Sequence, residues 1–376
     1  DCRTAALVGP DGSIDWCCLP HFDSPAILCR LLDADKGGFF RVSPVGNAQA
    51  SMAYLPGTNI LETVFESSSG RLQLLDYMPI RQRNKDIATH AKTDENHLSA
   101  GYERDLGNDV AAAHRLQRMV TCLEGSVELE VVLKATFDYA RQLPSIERQS
   151  ANANSAGAIL TAGKRFLVLV VRREGTVPEE TDQPPLALGG DEHIIQANIA
   201  LAQGQRLVAM LNYARTMSEA RRLLDQLVQQ DVDADLAETL RYWRDWSAKC
   251  RYSGPHRDIV VRSALALKIC IFEPTGAIVA APTTSLPEGI GGVRNWDYRY
   301  TWLRDSAFTL EALGRLGYHD EARDYFHFLH DLHVKHGADL HIMYTIRGEW
   351  GDVMAEQELD YLDGYRGSRP VRIGNG

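Results

Sequence analysis

APTTSLPEGIGGVRNWDYRYTWLRDSA, residues 281–307, is the stretch on which the architecture turns. Between Arg294 and Asp305 it holds two Trp, two Tyr, three Arg and two Asp. A sugar presents C–H faces that stack on aromatic rings, and vicinal hydroxyls that both donate and accept hydrogen bonds. An Arg fork supplies donors and an Asp supplies acceptors, so an Arg–Asp pair can hold adjacent hydroxyls. The same residues also suit an aromatic-rich helix contact braced by ion pairs, and composition alone leaves both readings open. Arg304 and Asp305 fall where a helix begins, so they would project from its end. The Gly-rich PEGIGGVRNW follows no strand of a βαβ unit, and is read as a tight loop rather than a phosphate cradle.

Upstream, the first ~230 residues read mostly as strands. TAALVGPDGSIDWCCLP carries two short apolar runs around Gly9-Pro10-Asp11-Gly12, a hairpin signal. Val127, Leu129 and Val131 alternate with Glu128 and Glu130, as a half-exposed strand should. Leu72, Leu74 and Asp76 alternate imperfectly with their neighbours, which predicts a strand covered on both faces. KRFLVLVVRREG is a strand of buried type. Many short strands with Gly, Pro and Asp turns predict an all-β sandwich. Residues 81–110 and 145–160 read as loose segments, and Trp16 and Tyr139 as β-domain core. The texture turns helical near Met217, with Ser218 as the expected N-cap. HRDIVVRSALALKICIF follows, with Ile259, Ser263, Leu267 and Cys270 on one face. LRDSAFTLEALGRLGY and HDEARDYFHFLHDLHVKHG are two more helices, each closed by Gly.

The 376 residues suggest two domains at roughly 150 residues each. No stretch approaches the ~20 apolar residues of a membrane span. A net charge of −10 argues against a nucleic-acid binder. The seven cysteines are odd in number, form no CxxC pair and include the adjacent Cys17 and Cys18. They read as reduced, buried thiols of a cytoplasmic protein, and no signal peptide is visible. His327, His330, His333 and His336 recur every three residues, slipping ~60° per step around a helix, so they read as surface residues and not as a metal site.

DCRTAALVGPDGSIDWCCLPHFDSPA near the start, APTTSLPEGIGGVRNWDYRYTWLRD in the middle and GYRGSRPVRIGNG at the end resemble, in order, the bacterial and archaeal glucoamylase-like and trehalase-like proteins of glycoside hydrolase family 15. The resemblance covers essentially the whole chain. It implies an N-terminal β-supersandwich domain (residues 1–216), a helical linker (217–252) and the first part of an α-helical (α/α)6 toroid, the catalytic barrel (253–376). It implies inverting hydrolysis of α-glucosides, releasing glucose from the non-reducing end of α-glucan or maltooligosaccharide, or from α,α-trehalose. By the match of YRYTWLRD, Arg304 and Asp305 would bind hydroxyls of the terminal glucose, Trp302 would line that pocket, and Tyr298 would lie near the developing oxocarbenium ion. RPVRIGN makes Arg369 and Arg372 further substrate-binding candidates. The Asp11–Trp16 hairpin is a further candidate for the rim of the pocket.

Inverting hydrolysis needs two carboxyl groups about 6.5–9.5 Å apart. In the family both are glutamates C-terminal to the RIGNG segment, so no catalytic residue is expected in this chain. The three or so legible helices likewise fall short of the twelve of a toroid, and the chain reads as C-terminally truncated. Glu288, in an LPEG turn, reads as a loop anchor, and the carboxylates of GEWGDVMAEQELD as a solvated loop. No cofactor or metal is expected, and the partners are the sugar substrates, with neither nucleic acid nor membrane. A homo-oligomeric state stays open. So do two other functions: a disaccharide phosphorylase of the same plan, and a catalytically inactive carbohydrate-binding fragment.

Overall fold

The alternation that marks the first part of the chain builds a large antiparallel sheet. The computed structural model describes residues 1–82, 110–112, 114–175, 184–337 and 339–375. Within these, thirteen strands join one hydrogen-bonded network: β1 (Ala6–Val8), β2 (Ser13–Cys18), β3 (Ala26–Leu28), β4 (Phe39–Pro44), β5 (Gln49–Tyr54), β6 (Leu61–Ser67), β7 (Gly70–Tyr77), β8 (Arg115–Lys134), β9 (Ser145–Asn152), β10 (Ser155–Ala162), β11 (Arg165–Glu174), β12 (Ile195–Ala202) and β13 (Arg206–Ala214). The long strand β8 belongs to two layers. Its first half pairs with β7 and β13, and its second half with β4 and β12. A register shift between Cys122 and Glu124 marks the crossing, as a bulge bends a strand.

The layers enclose one core, drawn from Leu116 and Val120 in the first half of β8, and from Val127, Leu129, Val131 and Leu133 in the second. The outward Glu128 is exposed, which matches the clean alternation in the sequence. Strand β11 is buried on both faces. Leu167, Leu169 and Val171 enter the sandwich core, and Val168 and Val170 enter a second core shared with the helices. That is why its sequence is a continuous apolar run. In β7, Asp76 turns inward to receive the guanidinium of the fully buried Arg118, at 2.7 and 3.0 Å.

Residues 145–160 differ from the loose segment expected. They form the β9–β10 hairpin, turned where Asn152 Oδ1 accepts from the amide of Asn154 at 2.8 Å. The small residues of β10 are there for packing. A Cβ on Gly157 would stand 2.3 Å from Leu224 Cδ1 of the helix lying across the strand. Of the other loose segment, residues 83–109 lie outside the described residues.

The helical part comprises α1 (Met217–Val228), α2 (Val232–Ala248), α3 (Arg257–Ile269), α4 (Leu303–Leu316) and α5 (Asp320–His336). Thr216, not Ser218, caps α1. Its hydroxyl accepts from the Glu219 amide, and Glu219 accepts in return from the Arg215 amide, a reciprocal pairing close to a capping box. Asp231 caps α2 in the same way through the Ala234 amide. Trp243 and Trp246 on α2 are both buried. In α3 the row Ile259, Ser263, Leu267 and Cys270 does share a face, but it is the outer one, with Ile259 66% exposed. The inner face is Val261, Ala264, Leu265 and Lys268. Lys268 reads as polar in sequence, yet it is buried because its ammonium donates to Glu321 on α5 at 3.0 Å, and Trp246 donates to the same carboxylate at 2.6 Å. Six of the seven cysteines are buried and all are free. No helix among the described residues is long and apolar enough to cross a membrane. His327, His330 and His333 lie exposed along α5.

Candidate functional site

The segment from Ala280 to Trp302 folds back on itself around its glycine-rich tip. Ser285 donates its amide to Trp296, Tyr298 to Thr283, and Ala281 to Tyr298. This ladder imposes the two-residue period of extended chain. Asn295, Asp297, Arg299 and Thr301 fall on one side and are 0–2% exposed. Trp296, Tyr298 and Trp302 fall on the other.

The inward side is a polar brace. Asp297 receives the Arg299 guanidinium at 2.6 and 2.8 Å and the Gly374 amide at 3.0 Å. Asn375 bonds the Asp297 backbone. The Thr284 and Ser285 hydroxyls donate to the Arg372 carbonyl at 2.5 and 2.7 Å, and Ser285 Oγ also accepts the Arg372 amide. Ser285 takes the left-handed backbone conformation, φ 61°, in making these bonds. The motif and the C-terminal RIGN segment are thereby fastened together. Trp16 and Tyr139 support this junction rather than the β-domain core alone. Trp16 packs with Leu359, Leu362 and Val371 and donates its indole N–H to the Pro282 carbonyl at 2.7 Å. Tyr139 lies under Arg299, 5.4 Å from the guanidinium carbon. The Asp11–Trp16 hairpin therefore reaches the site loop from behind, and Asp11 is engaged by Arg30.

The outward side opens on a pocket of about 300 Å³ lined by Ala280, Glu288, Trp296, Tyr298, Trp302, Arg304, Asp305, Met343, Glu356 and Asn375. The rings of Tyr298 and Trp302 are tilted at 42°, with centroids 6.3 Å apart. Pairing of Trp302 with Met343 fixes the indole at the entrance to α4. Arg304 and Asp305 occupy the first turn of that helix, and Arg304 Nε donates to Asp305 Oδ2 at 3.1 Å. Both stay solvent-accessible. Burial, and then the charge of Glu288, raise the pKa of the Tyr298 phenol, which keeps it a neutral donor.

Four of the six expected residues, Tyr298, Trp302, Arg304 and Asp305, thus share one pocket. Arg372 meets it only through its neighbours, with its guanidinium 5.4 Å from the Trp296 ring. Arg369 is elsewhere, paired with Asp363 on a separate surface depression beside Asp15 and Arg30. Glu288 and Glu356 line the pocket, although their local sequence reads as a turn and a solvated loop. Trp296 and Glu288 could have been found by the two-residue period and the tip it encloses. Glu356 carries no such local signal, because the pairing of Gln357 and Glu358 with Ile373 and Arg372 brings it there.

The profile of glycosyl hydrolases family 15 matches residues 254–376, and a trehalase-like N-terminal profile matches residues 1–92. Residues 254–376 thus belong to glycosyl hydrolase family 15. A trehalase of Mycolicibacterium smegmatis is 35% identical over 381 residues, spanning 100% of this chain and 52% of its own length. A trehalase of Thermoplasma volcanium is 32% identical over 376 residues, spanning 99% and 52%. The chain spans about half the length of the curated relatives it matches. The crystal structure of a bacterial glucoamylase complexed with acarbose superposes with a TM-score of 0.62 at 15% identity, covering 93% of this chain and 51% of that one. At that identity the likeness concerns the fold, a sheet-rich N-terminal part followed by a helical one.

Proposed function

We propose that this chain supplies the glucose-binding part of an inverting α-glucoside hydrolase whose substrate is α,α-trehalose. The observation that carries the proposal is the pocket itself. Two aromatic faces, Tyr298 and Trp302, stand beside an Arg304–Asp305 pair at a helix start, in a chain related over its whole length to trehalases. A glucosyl ring would stack its C–H face on the indole, while Arg304 donates to one hydroxyl and Asp305 accepts from its neighbour. The Tyr298 phenol would stand near the positive charge that develops at the anomeric carbon.

The catalytic acid and base are proposed to lie beyond Gly376. The three pocket carboxylates each face a guanidinium: Asp305 that of Arg304, Glu288 that of Arg294 at 3.5 Å, and Glu356 that of Arg372 at 3.6 Å. An (α/α)6 toroid completed by further chain accounts for two facts. The relatives are about twice as long, and α4 and α5 carry Phe308, Phe326 and Val334 at 66–71% exposure.

The test is glucose release by the gene product at full length, offered trehalose and maltotriose in parallel. Trehalose is expected to be cleaved preferentially, giving equal amounts of α- and β-glucose by NMR at early times. Preference for maltotriose would make the protein a glucoamylase. Phosphate-dependent glucose 1-phosphate formation would make it a phosphorylase.

A further inference from the structure

Arg372 has an arrangement that sugar binding does not explain. Its backbone is fixed from both sides by Thr284 and Ser285, and by the strand pairing with Glu358. Its side chain is 16% exposed. The guanidinium lies over Trp296, with Nε 3.6 Å from Glu356 and 3.8 Å from Glu358. Nε is buried without a hydrogen-bond partner among the described residues. The charge is thus spent on two carboxylates and one indole, two of which, Trp296 and Glu356, are pocket walls. A long ion pair of this kind holds a carboxylate in place while leaving its lone pairs open to another donor.

We infer that Glu356 is a sugar-binding residue that accepts a hydroxyl of the bound glucoside, and that Arg372 is a positioning residue that holds Glu356 and Trp296 against the ligand. The inference rests on the glucoside-binding reading of the pocket. Arg372 then acts on substrate affinity without touching the sugar. Glu356 has a polar role of its own beside the Arg304–Asp305 pair, although no motif marks it. An acceptor that binds ground state and transition state alike changes KM and leaves kcat.

The experiment uses the full-length protein with trehalose, measuring KM, kcat and Tm for E356M, R372M, R372K, the E356M/R372M double variant and D305N. E356M is expected to raise KM about ten-fold or more, the size of one charge-assisted hydrogen bond, with kcat and Tm near the parent. R372M is expected to raise KM comparably, R372K to recover part of the loss, and the double variant to be no worse than either single one. Unchanged KM in E356M overturns the sugar-binding role. A lowered Tm with unchanged KM in R372M and R372K makes Arg372 merely structural. Multiplicative effects in the double variant make the two residues independent. D305N separates the levels: if it raises KM while E356M does not, only this inference fails, and if D305N too leaves KM unchanged, the reading of the pocket fails with it.

Discussion

Asp297 and Asp305 stand in one short motif, each beside an arginine, and do opposite work. Asp297 is fully buried, and its carboxylate closes a brace around Arg299 and the Gly374 amide. Asp305 is 40% exposed in its side chain and opens on the pocket. The two are expected to separate cleanly on substitution. Asp297→Asn leaves a buried guanidinium without its counter-charge, a loss of about 3–5 kcal/mol by analogy with broken buried pairs, to be seen as a fall in Tm. Asp305→Asn is expected to leave Tm within about a degree, since exposed pairs contribute little, and, on the proposed function, to lower kcat/KM for trehalose in the full-length protein about 100-fold, the size of one lost charge-assisted hydrogen bond. Equal Tm losses would refute the distinction. The chemistry of both aspartates was legible from their Arg neighbours and the surrounding aromatics. Their difference in burial was not, because it follows from the two-residue period that the Ser285–Trp296 and Thr283–Tyr298 hydrogen bonds impose.

The docking of α1 on the sheet is an element-level match between a strand of small residues and a helix of large ones. Gly157 on β10 leaves the space that Leu224 fills, and a Cβ there would stand 2.3 Å away. Gly157→Val is therefore expected to destabilise the protein by about 1–3 kcal/mol through overpacking. Leu224→Ala in the same chain should restore part of the loss, so that the double variant is more stable than the sum of the singles predicts. Strict additivity in thermal or urea unfolding would show that helix and strand do not press on one another here. The helices themselves are legible in sequence, but their inner faces are less so. The buried row of α3 ends in Lys268, whose burial rests on its ion pair with the distant Glu321. Thr216 surpasses Ser218 as the cap because Glu219 lies three residues on to complete the reciprocal bonds.

Across the whole molecule, the loop after β2 meets the segment after α5. Arg347 donates to Asp23 at 2.9 Å and to His21 Nδ1 at 2.8 Å. The His21 ring also packs edge-on against Phe272 and His114. Burial, then the positive charge of Arg347, then His114 lower the His21 pKa from 6.5 to about 2. Below about pH 6.5 the unfolded chain takes up a proton that the folded chain refuses, so stability falls as pH drops from 6.5 toward 2, by up to about 1.4 kcal/mol per pH unit. His21→Asn keeps an acceptor for Arg347 and removes the titration. Its Tm should decline less steeply than the parent's between pH 7 and pH 5. Identical slopes would exclude His21 as the source.

The two-residue alternation of the strands, the helical periodicity after Met217 and the sugar-suited chemistry of residues 294–305 are properties of local sequence. Each depends on neighbours within a few positions, so each could be read directly. The pocket could not. Glu356 and Asn375 join Trp302 and Asp305 there only because Thr284 and Ser285 fasten Arg372, and Asp297 fastens Gly374 and Asn375. Arg369, equally prominent in the motif, is carried away to Asp363. Which polar residues bind one another and which are left facing the pocket is set by hydrogen bonds between distant segments, and those exist only once the chain has folded.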